Sequence, residues 1–361
     1  MRIELEKRPE RAAVFAWASP LIAIALTVVT GGIIFALAGV NPLLGLYVFF
    51  VEPFTTLWSI EELIVKATPL VLIGVGLSVA YRANVWNIGA EGQFTMGAVF
   101  GAAVPILATS WNTPLTLVAM LVLGVIGGMV WGAIPALLKT KTGANEILTS
   151  LMLVYVAGLL LDWLVRGPWR DPKGYNFPKS VSFEDWQTMP LLGEGRVNIG
   201  ALVALAAALI LWVVMSRTLK GFEVRVLGQA PRAGRFAGFS SDRMVLFAFL
   251  LSGGLAGLAG IMELAGTVGQ LQPGISPGYG FTAIIVAFLG RLNPIGVVFA
   301  GLVLAVSYLG GEAAQVGLGI SDKTARVFQG ILLFYILACD TLILYRIRIV
   351  GRSPAEGRAH A

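Results

Sequence analysis

An all-α polytopic membrane protein with about ten transmembrane helices, some of them broken or re-entrant, is the fold that the sequence predicts. Three observations predict it. Hydrophobic residues make up 57% of the 361 residues and charged residues 13%, whereas a soluble domain carries about 25% charge. The apolar residues fall in runs of the length that a bilayer requires. Lysine and arginine gather in the breaks between those runs, as topology demands.

Taken in order, Met1 to Arg11 is polar with four basic residues, and Val14–Ala38 is the first apolar run. That run is longer than the apolar core of a signal peptide and has no evident small-residue cleavage site, so an uncleaved first span is expected. Leu43–Phe54 is short and proline-bounded and reads as interfacial or half-buried. Spans two to five are expected over about Leu63–Tyr81, Ile88–Ala108, Leu115–Leu138 and Ile147–Val165. Spans six and seven follow over Ile199–Met215 and Met244–Gly266. The last three cover Phe281–Leu289, Pro294–Leu309 and Val327–Tyr345. The eighth is too short to cross as a regular helix at about 1.5 Å per residue, so nine or eleven spans stay open beside ten.

Charge orients the bundle. With ten spans and the N-terminus inside, both termini are cytoplasmic and the inner breaks hold 18 of the 26 basic residues. The outer breaks hold the rest, many of them offset by Asp171, Glu184, Asp185 and Glu194. The expected organisation is a cytoplasmic segment 1–13, one transmembrane domain 14–345 and a cytoplasmic tail 346–361. Within the domain, 166–198 is a long outer segment rich in Trp, Pro and charge of both signs, and 217–243 is a basic inner loop. The outer segment reads equally as a structured cap that meets a partner and as a long loop.

Much chemistry is excluded. The single cysteine, Cys339, lies in the last apolar run, and the single histidine, His360, is next to last in a Gly/Pro/Arg tail. No disulfide framework, histidine-bound metal or Ser/His/Asp site is expected. No GxxxxGK[ST], HExxH, CxxC or GxSxG occurs, so no phosphate loop, cofactor or enzymatic activity is expected. The net charge of +6 follows topology and is not a nucleic-acid signal.

Two glycine-rich interruptions stand out. Tyr81–Gln93 places Asn87, Glu91 and Gln93 beside Gly89 and Gly92. Gly266–Gly280, with Gln270 and Tyr279, leads into the short eighth run. Irregular backbone at membrane depth survives only where protein buries it or where it lines a wet cavity. A broken helix in each half of a chain points to a substrate pathway, and tight packing is the alternative for both. Glu91, Glu146 and Glu263 are the acids nearest the apolar runs; a charge there is costly and suggests function, although helix N-termini also favour carboxylates. Small-residue seams at Gly97/Gly101, Gly124/Gly128/Gly132 and Gly253/Gly257 let helices approach closely.

The inner loop carries six basic residues, Arg217, Lys220, Arg225, Arg232, Arg235 and Arg243, against Glu223 and Asp242. A short helix lying on the bilayer surface is expected over Pro231–Phe239. Proline suits its first position, and Ala233 and Ala237 share one face.

These landmarks together resemble the permease subunits of ATP-driven importers, the branch that takes up nucleosides and simple sugars. The pattern N-I-G-x-E-G-Q stands intact at Asn87–Gln93. Gly143–Ile147 with Leu151–Tyr155, Ser252–Gly260 and Pro273–Gly290 follow in the family's order, and the similarity runs from about Leu63 to Tyr345. Against the family's loop pattern, Arg225, Gly228, Pro231, Ala233 and Gly238 fit, while Val226, Ala230 and Gly234 depart. The resemblance implies a fold similar to the cobalamin-type importer permeases, in a prokaryotic inner or plasma membrane. It implies a separate ATPase docking at Arg225, Pro231, Ala233, Ala237 and Gly238, and an extracytoplasmic substrate-binding protein or lipoprotein. The length and the Gly167–Pro168–Trp169 segment resemble the longer of two paired nucleoside permeases, which implies a heterodimer with a second permease. Asn87, Glu91, Gln93, Gln270 and Tyr279 would then border the substrate pathway. A nucleoside cargo leads; a monosaccharide is the alternative, and an ion-driven secondary transporter is a third reading.

Overall fold

The computed structural model describes residues 2–7, 13–108, 111, 113–321 and 323–350. His360, Arg352 and Arg358 of the expected tail lie outside them. Each expected run becomes a helix. These are α1 (Ala13–Leu37), α2 (Pro42–Phe50), α3 (Leu57–Arg82), α4 (Ala90–Leu107), α5 (Leu115–Thr142), α6 (Glu146–Arg166) and α7 (Gly200–Arg217). They continue with α8 (Leu219–Gln229), α9 (Pro231–Phe236), α10 (Ser241–Glu263), α11 (Tyr279–Leu289), α12 (Pro294–Leu318) and α13 (Lys323–Leu344). The protein is an all-α polytopic membrane protein. Among the described residues, six helices are long and apolar enough to cross a bilayer: α3, α5, α6, α7, α12, and α10 with the π-helical turn Leu264–Val268 that extends it. The stretches Leu21–Leu37, Pro42–Phe54, Tyr279–Leu289 and Arg326–Ile336 are apolar but shorter.

The chain forms two compact units. One comprises residues 1–51 and 311–361. Its core is the ring cluster of Phe35, Phe49 and Phe328, with Phe49 stacked on Phe328 at 4.6 Å. Its two polar ends also form strands, β1 (Arg2–Lys7) and β2 (Tyr345–Val350), paired antiparallel. RIELEK and YRIRIV each alternate apolar with charged residues, the period of a strand. The register sets Glu4 opposite Arg348 and Glu6 opposite Arg346.

The second unit, residues 52–310, holds the remaining helices. Its centre is a three-helix block of α4, α5 and α10, zipped by glycine. A side chain at Gly97 would overlap the backbone of Gly257, one at Gly128 the carbonyl of Gly253, and one at Gly260 the carbonyl of Phe94. Lipid offers no hydrophobic drive between helices, so such backbone contact carries the association. Helix α3 is buried over 83% of its most apolar 18-residue stretch, whereas the corresponding stretches of α6 and α7 are buried over 22% and 28% and turn most of their apolar surface outward. Helix α11 has 11 residues, as short as the sequence requires, and follows an irregular approach.

The basic segment 217–243 departs from expectation. It holds two helices, because Thr218 caps an additional one, α8, with its side chain on Gly221 N. The second, α9, stops at Phe236 and not Phe239: Gly238 adopts φ +86 and the chain turns, with Phe239 N bonding the Gly234 carbonyl.

Residues 166–198 form an ordered cap on the helices. Ser180 N donates to the Leu271 carbonyl (2.8 Å), Phe183 N to that of Gly269 (2.8 Å) and Met189 N to that of Ala265 (2.9 Å). A 3-10 turn at Asp185–Gln187 and a bridge between Leu191 and Asn198 complete it.

Candidate functional site

The first glycine-rich break joins α3 to α4 and is held by side chains. Asn87 and Gln93 face each other as a reciprocal amide pair. Asn87 Nδ2 donates to Gln93 Oε1 (2.8 Å), and Gln93 Nε2 donates back to Asn87 Oδ1 (3.1 Å). Asn87 Nδ2 also donates to Ser252 Oγ on α10 (2.9 Å), and Oδ1 also accepts from Gly89 N (3.0 Å). An asparagine amide offers two donors and two acceptor positions, so every one of them is engaged. Asn87 and Ser252 are fully buried, and Gln93 is 1% exposed. In this conformation the pair binds the break to α10 and leaves no Asn87 group facing open space. Ser150 on α6 supports the same turn by accepting from Ile88 N (3.2 Å), and Tyr81 donates its hydroxyl to the Asn87 carbonyl (3.0 Å). A buried network centred on a side chain with every group paired, as Asn87 has here, is rigid and favours one geometry.

Glu91 reaches across the chain. It lies in the first turn of α4, yet its Oε2 accepts from Gly280 N (2.6 Å), 189 residues away, at the N-terminus of α11. A carboxylate beside those orphan N–H groups is favourable. The approach requires glycine, because a side chain at Gly280 would collide with the Glu91 backbone. The two broken segments of the sequence thus meet at this contact.

Tyr279 opens α11, is buried, and packs edge-on against Phe94 (6.0 Å between centroids) and against Tyr308 of α12 (5.4 Å). The Tyr308 hydroxyl shares a hydrogen bond with Thr282 (2.8 Å). A second ring cluster closes the α3 end of the break: Tyr81, Trp86 and Phe288, with Tyr81 stacked on Phe288 at 5.3 Å. Gln270 does not join Glu91 and Tyr279 in any hydrogen bond or ring contact described. It lies under the cap, where Lys179 and Ser182 donate to its Oε1 at 3.4 and 3.3 Å. Glu146 forms an ion pair with Lys139, tying the start of α6 to the end of α5.

The loop residues stand apart from this region. Pro231, Ala233, Ala237 and Gly238 are exposed, Arg225 is half-buried, and Phe236 is 95% exposed. In α9 only Gly234 is buried, against Leu227 of α8. Helix α8 seats on α3 where Gly228 meets the Arg82 carbonyl so closely that no side chain fits.

Sequence reasoning missed Ser252, Ser150, Thr282 and Tyr308. Ser252 carried a signal: it is the one polar residue of the small-residue run SGGLAGLAG. Among the described residues no cluster of His, Cys, Asp or Glu could hold a metal ion.

The chain is 37% identical to the glucose ABC transporter permease protein TsgB13 of Haloferax volcanii, over 97% of this chain and 95% of that one. It is 30% identical to the guanosine ABC transporter permease protein NupP of Bacillus subtilis (94% and 97%). It is 29% identical to the probable riboflavin import permease protein RfuC of Treponema pallidum (88% and 84%). The profile of the family described as branched-chain amino acid transport system / permease component matches residues 59–337, and the chain belongs to that family of ABC-transporter permeases.

Proposed function

We propose that this transmembrane permease subunit carries a neutral, hydroxyl-rich cargo, a nucleoside in the first place, along a path bordered by Asn87, Glu91, Gln93, Gln270 and Tyr279. The observation that carries the reading is the Glu91–Gly280 contact, where two broken segments from distant parts of the chain meet inside the bundle. Broken helices that converge in this way mark substrate paths. Asn87 and Gln93 act by holding the break in one geometry, and Glu91 and Tyr279 act at the path itself. Rings at Phe94, Tyr279 and Tyr308, and at Tyr81, Trp86 and Phe288, suit a cargo that stacks. The guanosine relative supports the nucleoside reading. The glucose relative, at higher identity, favours a monosaccharide as the second reading.

On this reading 217–243 and both termini are cytoplasmic, 166–198 is outside, α2 is interfacial, and α1, α4, α11 and α13 join the six long helices to make about ten membrane passages in a cobalamin-importer-like arrangement. A separate ATPase docks on α9 through Pro231, Ala233, Ala237 and Gly238, with Arg225 beside it. A second permease completes a heterodimer, and an extracytoplasmic binding protein delivers cargo to the cap side. The two states of such a permease are biased from both ends by these partners.

The test is uptake by proteoliposomes holding this chain, its partner permease, the ATPase and the binding protein. ATP-dependent uptake of a labelled nucleoside that glucose does not compete with is expected. Uptake of glucose alone would move the cargo to the sugar reading. Uptake by this chain without any ATPase would overturn the importer assignment in favour of an ion-driven carrier.

A further inference from the structure

The two halves of the cap are held differently. Residues 180–189 are joined by backbone hydrogen bonds to the Ala265–Leu271 stretch. Residues 191–198 form a small hairpin, with Leu192 N bonded to the Val197 carbonyl at 2.7 Å. Hydrogen bonding and ion pairing fasten that hairpin to the start of α3 through Arg196, and Gly195 packs on the Glu61 carboxylate beside it. Arg196 N donates to Glu61 Oε2 (3.0 Å), its Nη1 lies 3.1 Å from Glu62 Oε2, and its guanidinium stands 5.8 Å from the centroid of the Trp58 ring. Lys66 shares Glu62 at 3.7 Å. The Arg196 side chain is 48% exposed and that of Glu62 10%; Lys66 stays beside Glu62 when Arg196 leaves, so release does not strand a buried charge. The fastening therefore opens more readily than the backbone hydrogen bonds of residues 180–189.

Against the hairpin's last residue, Asn198, lies a small, partly open pocket of about 10 Å³ whose wall is half polar, with Thr68 on α3 and Glu263 and Thr267 on α10 and its π turn, and half apolar, with Val65 and Met262. That is room for about one water. Glu263 and Asn198 are both buried, and an acid within a span is costly unless it serves a purpose. Carboxylate, hydroxyl and amide groups together match the donors and acceptors of a polyhydroxyl cargo.

We propose that the Leu191–Asn198 hairpin is a lid over this pocket and that Arg196, bound to Glu61 and Glu62, is its latch. The pocket widens when the latch releases, and cargo first meets Glu263, Thr267 and Thr68 there. The inference rests on the transport reading for its purpose, but its test does not require cargo or ATPase.

The test uses the full chain in membrane vesicles with Cys339→Ala as background and Thr267→Cys as reporter. The measured quantity is the rate of modification by a charged, membrane-impermeant thiol reagent added on the cap side. Arg196→Ala is expected to raise that rate about fivefold or more, the shift in open population that loss of one modest interaction gives. Arg196→Lys, which keeps a cation beside Glu62, returns it toward the parent. A rate unchanged by Arg196→Ala, with Thr68→Cys as a second reporter giving the same result, would overturn the lid. Uptake measured separately, with the parent chain reconstituted with its partner permease, ATPase and binding protein, separates the two ideas: faster labelling of the Arg196→Ala chain beside no ATP-dependent uptake of any cargo by the full complex keeps the lid and sinks the transport reading.

Discussion

The cap at 166–198 and the loop at 217–243 are both polar insertions between apolar helices, and they meet the bundle in opposite ways. The cap satisfies its backbone against its own chain: Ser180, Phe183 and Met189 bond to the stretch after α10, and Arg196 fastens the rest to α3. The loop folds into two helices that bury Gly221, Val224, Leu227 and Gly234 and little else. Phe236, with Ala233 and Ala237 beside it, stands in the open. An ordered helix that leaves a large aromatic ring and small flat side chains uncovered is a surface shaped for a partner. A segment whose polar groups are already paired works within its own chain. On the proposed reading, one insertion binds the ATPase and the other controls access.

Four variants break or sharpen that contrast. The largest effect is expected from Gly228→Leu, which drives a side chain into the Arg82 carbonyl. Overpacking against backbone should cost about 3 kcal/mol and unseat α8. A fall in detergent melting temperature, together with loss of ATPase binding, checks it. Next comes the double change Ala233→Glu, Ala237→Glu. Both positions are exposed, so the permease should reach the membrane at its normal level. Substrate-stimulated ATP hydrolysis should fall by roughly tenfold or more, the scale of a lost interface hot spot. Normal hydrolysis would remove α9 as the docking helix.

Smaller effects belong to the cap. Ser180→Ala removes the acceptor for Leu271 N (2.9 Å) at a buried site. It should destabilise the cap by about 1–2 kcal/mol, read as faster hydrogen exchange of the Leu271 amide with ATPase binding unchanged. Smallest is Tyr175→Gly. Tyr175 is 93% exposed and holds φ +50, a region that a bulky residue adopts only under strain. Relief of that strain should leave the melting temperature unchanged or raise it slightly, by no more than about 1 kcal/mol in stability.

Much of this was legible in the residues themselves. Apolar run length located every long helix, and the eleven residues of α11 show why Phe281–Leu289 looked too short to cross. The glycine seams announced the α4–α5–α10 block because glycine at helical spacing has few other uses in a span. What sequence could not show was pairing at a distance. The helix that Glu91 caps begins 189 residues later, and nothing local to Asn87 marks Ser252 as its partner. Local pattern also overran the end of α9, because Ala237 favours helix while Gly238 stops it. The strands at the two termini went unread: RIELEK is too short for its alternation to stand out beside long apolar runs. The cap stayed open between two readings because its order comes from Ala265–Leu271, which no feature of 166–198 reveals.

The most direct measurement is hydrogen exchange on the chain in lipid nanodiscs, with and without the ATPase subunit. Before addition, the amides of Ser180, Phe183, Met189 and Leu271 should be protected, and those of 231–238 should exchange quickly. On addition, protection should appear across 231–238 while the cap amides stay as they were. Protection that appears only in the cap, or in neither segment, would contradict the division of labour between the two insertions.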